Sequence, residues 1–342
     1  MSEMAEEKRG PVLPAFPLIL IHPLGPLFRR LPLSLRRHLL YLNVVRRWGN
    51  FRRPTRWTEK MQWRIINDRR KIMSWTADKL AQKTYVANVL AEHGIGGVMR
   101  VPEVYWIGTD ITELRAIADR LPARWVLKPN HSCGRFKLFD SSVRPIDWDD
   151  LAALGNQWVQ RDEEELVMGH WAYGQARHVL IAEERVGVGS APEAEVKGWT
   201  FGGVVHTFTL FHTLSRRNAN YSRTYERVLS GHERELPATA TTPFDEIPAS
   251  LRDQMCAAAE VIAEPFDHIR VDCFVENGVI WFNELSAYAR GGLGQMRPEM
   301  ERARGDRWEL PALSASDPRE TEWRALLGPL PRGSLQEPRE SL

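Results

Sequence analysis

Cysteine is scarce in this chain. Cys133, Cys256 and Cys273 are the only three among 342 residues, an odd set with neither a disulfide framework nor zinc-ligand spacing. Such a chain belongs in a reducing compartment, so a cytoplasmic location is expected. Long apolar runs are missing too. Pro17-Leu18-Ile19-Leu20-Ile21 is broken off by His22, Pro23 and Pro26. It is too short to span a bilayer and leads to no convincing cleavage site. Net charge is small, +2 over the whole chain, and by itself points to no partner. No internal repeat is present, and no nucleophile–base–acid spacing of the triad kind.

One absence is local. From Pro11 to Lys60 there are ten Lys or Arg and a single acid, Glu59. A segment of that kind can lie on an anionic surface, so peripheral membrane contact or an acidic polysaccharide is expected for residues 11–60, and no nucleic acid. A solvated basic face on ordinary helices satisfies the same composition.

Periodicity then divides the chain. Leu31 to Trp48 reads as one or two amphipathic helices. Thr58 to Ile66 has helical spacing with Thr58 as its cap. Thr76-Ala77-Asp78-Lys79 opens a helix that runs to about His93 and stops at Gly94. Val101 to Ile107 is a strand and Thr112 to Arg120 a helix. Trp125 to Lys128 is a strand paired with Lys137-Leu138-Phe139, and Trp148 to Val159 is helical. Val179 to Glu184 is a strand buried on both sides. Lys197 to Phe211 is two strands turning at Gly202-Gly203. Pro248 to Ala263 is a helix, followed by a hairpin. Trp308 and Trp323 clasp the tail onto the body, and the chain from Pro329 onward is loose. Helices mixed with largely antiparallel strands give an α+β class with two sheet-bearing lobes.

Two segments carry chemistry. In Trp125-Val126-Leu127-Lys128-Pro129-Asn130-His131-Ser132-Cys133-Gly134-Arg135, an apolar strand holds the stem of Lys128 and directs its ammonium outwards, towards a phosphate. The small polar loop after it could wrap phosphates with backbone N–H groups. The second segment joins Ile269-Arg270-Val271-Asp272-Cys273-Phe274 to Trp281-Phe282-Asn283-Glu284-Leu285-Ser286 through Asn277-Gly278. Magnesium takes a few carboxylates plus phosphate oxygens, so Asp272 and Glu284 can serve only on one face. A two-residue turn would set Asp272 against Asn283 and send Glu284 to the other side. A three-residue turn, Glu276-Asn277-Gly278, reverses that parity and is therefore expected. It sets Arg270 opposite Glu284, with the two acids diagonal neighbours roughly 7 Å apart. A surface salt-bridge ladder is the plainer use of the same residues.

Weaker signals surround these two. Glu183-Glu184 ends a strand, where free backbone groups before Val186 could imitate a base pair to adenine. Glu195 and Lys197, two apart, share a strand face and could take ribose and phosphate. Asp78 suits a helix start, which leaves Lys79 as a second phosphate cation. Arg216, Arg217, Arg223, Tyr221 and Tyr225 make a basic-aromatic stretch fit for an acidic substrate or for a surface loop. Arg290-Gly291-Gly292 suits backbone approach to a ligand.

Taken in order, these residues resemble the ATP-grasp superfamily, and within it the TupA-like family named after teichuronopeptide synthesis. The similarity runs from about Leu31 to Met296. It is carried by Thr58-Glu59-Lys60-Met61-Gln62-Trp63, Asp78-Lys79 with Lys83 and Tyr85-Val86, Val126-Leu127-Lys128 with Asn130-His131, Ile181-Ala182-Glu183-Glu184, Lys197, Arg270-Val271-Asp272, and Glu284-Leu285-Ser286 before Gly291-Gly292. The resemblance implies an ATP-grasp fold, with residues 1–70 a basic helical segment, 71–124 an N-terminal subdomain, 125–300 the ATP-grasp domain and 301–342 a tail. It implies ATP and Mg2+ as cofactors. Lys79, Lys128 and Lys197 would hold phosphates, with His131, Ser132 and Gly134 in the covering loop. Glu184 with Val186 would face adenine and Glu195 ribose, with Glu183 also in the nucleotide site. Asp272, Glu284 and Asn283 would carry magnesium. Lys128, Arg270, Asp272 and Glu284 would be catalytic, and Arg216, Arg217, Arg223, Tyr225, Arg290, Gly291 and Gly292 would meet the substrate. The chain departs from the pattern in three places: Ser132-Cys133-Gly134 has one glycine fewer, Asn283 replaces a glycine, and Glu195-Val196-Lys197 replaces Asp-Tyr-Lys. The implied activity is a carboxylate–amine ligase that makes an amide through an acyl phosphate. It would join an amino acid or peptide amine to a carboxylate on a polysaccharide precursor or peptide. A kinase acting on a hydroxyl, or a non-catalytic binding module, would use the same nucleotide site.

Overall fold

The computed structural model describes residues 25–160, 167–187, 192, 194–212, 217–229, 235–237, 239, 242–294, 296–314 and 316–329. The first half contains α1 (Gly25–Arg30), α2 (Leu33–Val45), α3 (Trp57–Asn67), α4 (Lys71–Ser74), α5 (Lys79–Glu92), β1 (Met99–Arg100), β2 (Val104–Gly108), α6 (Ile111–Arg115), β3 (Arg124–Pro129), β4 (Lys137–Asp140) and α7 (Trp148–Val159). The second contains β5 (Leu180–Glu184), β6 (Ala194–Phe201), β7 (Val204–His212), β8 (Arg217–Ser222), α8 (Pro243–Glu246), α9 (Ala249–Ala263), β9 (His268–Glu276), β10 (Val279–Ser286), α10 (Pro298–Arg307) and α11 (Glu320–Ala325). The described strands form a four-stranded sheet, β2-β5-β3-β4, and a six-stranded one, β1-β10-β9-β6-β7-β8. All pairings are antiparallel except β1 with β10. The class is α+β, as expected.

Each sheet has an apolar and a polar face, because side chains alternate along a strand. In the smaller sheet Trp125, Leu127, Leu180 and Ala182 pack with Leu151 and Trp158 of α7. In the larger, Val196, Phe208, Val271, Cys273 and Phe282 pack with Ala258, Ala259 and Ile262 of α9 and with Tyr85 of α5. Helix α5 joins the two. Leu80, one residue after Lys79, packs against Val179 and Ile181 of the smaller sheet's chain. Gln82 receives the backbone N–H of Leu285 at 2.9 Å and donates to the Leu285 carbonyl at 3.2 Å, in the larger sheet.

Several local expectations are corrected. Thr58 does not cap α3. The helix starts at Trp57, and the Glu59 carboxylate accepts the N–H groups of Asn50, Thr55 and Arg56. Thr58 is freed to meet the Tyr41 hydroxyl at 2.8 Å. The expected helix from Thr112 to Arg120 is broken, with α6 ending at Arg115 and a 3-10 turn at Ala118–Arg120. Only Ile111 and Leu114 are buried there, so a longer helix would have no apolar face to hold it. The acid-poor segment is only partly a basic surface. Arg37 is buried and bonded to Gln62 and the Gly291 carbonyl. Arg47 and Arg56 pair with Glu301 of α10, and Lys60 donates to the carbonyls of Gly305 and Trp308. Its counter-charge and acceptors come from the far end of the chain.

That end is clasped where the tryptophans predict. Trp308 is fully buried and donates to Asp267 at 2.6 Å. Trp323 stacks 5.9 Å from Trp75. The expectations for residues 1–24 and 330–342 lie outside the described residues.

Candidate functional site

The hairpin β9–β10 reaches the required geometry by an unexpected route. The turn has two residues, not three. Asn277 and Gly278 both take positive φ, +50° and +71°, and Glu276 pairs with Val279, the pattern of a type I′ turn. Parity is restored further along by a bulge. Phe282 pairs with Cys273, Asn283 is the extra residue, and Glu284 then falls opposite Asp272. The two acids are directly paired instead of diagonal, and the residue opposite Arg270 is Ser286, not Glu284.

Around these acids lies a charged network on the polar face. The Arg270 guanidinium donates to both oxygens of Asp272, at 2.6 Å from Nε, and to the Ser286 hydroxyl at 2.9 Å. Glu284 lies 3.7 Å from Arg270 and is 30% exposed, whereas Asp272 is fully covered. Lys197, across from Asp272 on β6, is 2.5 Å from Glu195 and 3.6 Å from Asp272. Burial lowers the affinity of Lys197 for its proton, but Asp272 and Glu195 outweigh it and raise the pKa. Burial likewise opposes and Asp272 restores the charge of Arg270, whose pKa is raised.

The facing wall is a second network. Lys128 does not project outwards. Its ammonium turns onto the buried Glu183 carboxylate, which also holds Lys83 at 3.2 Å. The reason is the register: Val126 pairs with Glu183 and Lys128 with Ile181, so Lys128 and Glu183 share a face. Burial raises the Glu183 carboxyl, yet Lys128 and Lys83 hold it below the usual range. Burial takes Lys83 down to about 8 despite Glu183. Lys83, four residues after Lys79 and thus on the same face of α5, carries no role in the sequence reading although its helical spacing reveals it.

Lys79 stands between the two networks. Its ammonium donates to the Ser132 carbonyl. Burial lowers its pKa; Glu284 on one sheet raises it, Lys128 lowers it, and Glu183 raises it. It therefore lies within electrostatic reach of both walls. Asp78 caps the helix by accepting from Ala81 N–H at 2.9 Å and is gripped by Arg177. Asn130 fixes the same turn, its side chain accepting from Leu80 N–H at 2.9 Å.

The loop after Asn130 is partly built in. His131 is buried, stacked 4.1 Å from His178, and held near pKa 4 by burial and by His178. The Ser132 hydroxyl is buried with no hydrogen-bond partner among the described residues. Gly134 takes φ +67° over open space. At the end of β5, Glu184 is bonded to Glu103 through its backbone N–H at 2.8 Å and its carboxylate at 3.2 Å, while Val186 is half-buried.

The expected substrate residues are scattered. Arg216 lies outside the described residues, as does the side chain of Arg217. Arg223 pairs with Glu260 at 2.8 Å and the Tyr225 hydroxyl donates to Asp253 at 2.9 Å, both on α9. The structure does not bring them to the acids. Arg290, Gly291 and Gly292 take positive φ, but the close neighbour that forbids a side chain at Gly292 is α3, where an added Cβ would lie 2.5 Å from Gln62 and 2.6 Å from Met61.

A small antiparallel sheet bearing lysine, a larger sheet bearing paired acids and a helix joined to both are the parts that the ATP-grasp resemblance implies. No protein-family model matches the chain, and no curated protein matches it. Solved structures do. D-alanine–D-alanine ligase from Bacillus anthracis, complexed with ATP, is 14% identical over 60% of this chain and 52% of its own, with a TM-score of 0.33. The ADP complex of the N5-carboxyaminoimidazole ribonucleotide synthetase PurK is 18% identical over 62% and 45%, with a TM-score of 0.35. The ATP-grasp ligase PsnB, with a precursor peptide and AMPPNP, is 14% identical over 70% and 57%, with a TM-score of 0.31. The chain spans about half the length of these proteins.

Proposed function

We propose that the chain is an ATP-dependent carboxylate–amine ligase. The observation that carries the proposal is helix α5, whose Lys79 donates to the Ser132 carbonyl in the loop after β3 and whose Gln82 is bonded to Leu285, the residue after Glu284. Five cations line the two walls, Lys79, Lys83, Lys128, Lys197 and Arg270, beside Glu183, Glu195, Asp272 and Glu284. A polyanion suits such a set of cations.

Nucleotide phosphates enter between Lys79, Lys128 and Lys197. The self-pairing of Lys128 with Glu183 and of Arg270 with Asp272 keeps these charges in place before the ligand arrives. Magnesium suits the donors present: Asp272 and Glu284 are hard oxygen ligands on paired residues, with Asn283 in the bulge beside them, and magnesium takes few protein ligands beside phosphate oxygens. When bound, it supplies charge neutralisation on the transferring phosphoryl group. Arg270, held between Asp272 and Glu284, offsets the same charge. A carboxylate oxygen of the acceptor attacks the γ-phosphorus, the bond to the β–γ bridging oxygen breaks, and ADP leaves. An amine then attacks the acyl carbon, phosphate departs and an amide remains. Closing the cleft would keep water from the acyl phosphate. Glu184 and Val186 at the end of β5 are proposed to face adenine, and Glu195 the ribose, while Glu183 anchors Lys128 and Lys83. The TupA-like resemblance supports a uronic-acid or peptide carboxylate as acceptor.

The test is ADP release. The ligase reading requires both a carboxylate and an amine from a panel of uronic acids, peptides and amino acids, with a product heavier than the acid by the amine minus water. A stable phosphorylated product from an alcohol would replace the ligase with a kinase. Nucleotide binding without turnover on the panel would replace it with a binding module.

A further inference from the structure

Beyond Trp199 the polar face of the larger sheet continues into a cavity of about 810 Å³. Its walls include Phe201, Val205 and Thr207 from β6 and β7, Leu229 after β8, and Glu299, Met300, Ala303 and Arg307 from α10. Apolar surface thus alternates with hydroxyl and guanidinium groups and the one carboxylate of Glu299. His206 also lines it, and the His206 Nε2 is buried with no hydrogen-bond partner among the described residues.

Behind the cavity wall, bonded to the lining residue Thr207, stands Arg304. Its guanidinium lies 4.0 Å from the centroid of the Trp199 ring, and that of Arg270 lies 5.6 Å from the same centroid. Arg304 is 4% exposed. It donates one hydrogen bond, to the Thr207 hydroxyl at 3.1 Å, and its Nε–H has no partner among the described residues. No described carboxylate pairs with it. Burial, then Arg270 and Arg290, bring its pKa down to about 9. A buried cation surrounded by cations is costly unless an anion joins it. Nor is Arg304 misplaced by a loose helix. Met300, Ala303, Arg304 and Arg307 share one face of α10, and Glu301 on the same helix is tied to Arg47 and Arg56.

We propose that this cavity is the acceptor pocket, that its occupant is an organic anion with an apolar body, and that Arg304 is the counter-ion for the anionic end, next to Arg270. The word acceptor rests on the ligase reading; the binding of an organic anion does not.

The test is calorimetric titration of the full chain, free of nucleotide, with 3-phenylpropionate, and with 3-phenylpropylamine as the charge-reversed control. The wild type binds the acid and not the amine. Arg304→Gln weakens the acid by at least about tenfold and leaves ATP affinity unchanged. Ala303→Leu, which fills the cavity and keeps the guanidinium, weakens it as well and keeps the proposal testable should the arginine variant fail to fold. No binding of the acid by the wild type, equal binding of acid and amine, or acid binding untouched by either substitution overturns the pocket. Acid binding in a chain that binds no ATP leaves the pocket standing and removes the ligase. ADP release that needs acid and amine while 3-phenylpropionate fails to bind does the reverse.

Discussion

Glu284 is the residue at which chemistry and stability separate most cleanly. It is partly open and its carboxylate is not the sole partner of any buried cation, because Arg270 is also held by Asp272. Glu284→Gln is therefore expected to keep the melting temperature of the wild type while lowering kcat for ADP release by at least about 10²-fold, read by thermal melting and a coupled assay on one preparation. Asp272→Asn abolishes turnover too, but it strips Arg270 of its closest charge partner and Lys197 of one of two, and costs about 3 kcal/mol of stability in a denaturant titration. Equal stability losses in the two variants would contradict this division. The acids, Lys128 and Lys197 were legible in the sequence because strand alternation puts them on polar faces. Lys128's partner was not, since Glu183 becomes its neighbour only through the register of β3 against β5. Arg304 was invisible for a similar reason: nothing near it in sequence announces that Trp199 and Thr207 wait opposite.

At the scale of the element, the hairpin shows how a right conclusion can rest on a wrong turn. Asn277-Gly278 is the commonest two-residue turn signal, and the chain follows it. What sequence could not show is where the compensating bulge falls, because a bulge is decided by the packing of Phe282 on one side and Leu285 on the other, both in the core. Deleting Asn283 would remove the extra residue, leave Glu284 opposite Asp272 and keep Leu285 inside. On the ligase reading, the expected outcome is a folded protein whose magnesium requirement rises by about tenfold, with kcat reduced far less than by Glu284→Gln; a magnesium titration of ADP release checks it. Helix α2 offers a second element-scale prediction. Leu35, Leu39 and Leu42, with Trp48 just beyond, are 40%, 41%, 42% and 63% exposed, and exposed Arg29, Arg30 and Arg46 flank them. Peripheral contact with an anionic bilayer is proposed for this face. Leu39→Glu with Leu42→Glu should abolish co-sedimentation with phosphatidylserine vesicles and leave ADP release intact; unchanged co-sedimentation removes the membrane contact.

Over the whole molecule, the early residues Arg64 and Arg70 meet the late residues Asp267 and Trp308, and their junction is charged. Arg64, Arg70 and the Trp308 indole converge on Asp267, at 2.5, 2.7 and 2.6 Å. Asp267, although buried, is held near pKa 2, with Arg64 and Arg70 overcoming the burial. Next to it, His268 is fully buried and must be neutral. Its Nδ1–H donates to the Thr200 carbonyl and its Nε2 accepts from the Trp57 indole, so a second proton has no place. Burial, then Arg64, takes it to about 3, and burial with His178 takes His131 to about 4. Both pKa values are depressed below the unfolded value, so the unfolded chain binds the extra protons. Stability from these two groups is complete above about pH 6.5 and falls as pH drops towards 4 and 3, at up to about 1.4 kcal/mol per pH unit for each. Urea titrations at pH 7, 6 and 5 should show that slope, and His268→Gln should reduce it by about half.

The central claim is that cations from the smaller sheet and acids from the larger one hold a single triphosphate. A crystal structure of the full chain with AMPPNP and magnesium tests it most directly. The predicted result places the β- and γ-phosphates between Lys79 and Lys128 on one side and a magnesium ion on Asp272 and Glu284 on the other. Nucleotide bound away from the hairpin acids, or phosphates touching only one of the two sheets, would contradict it.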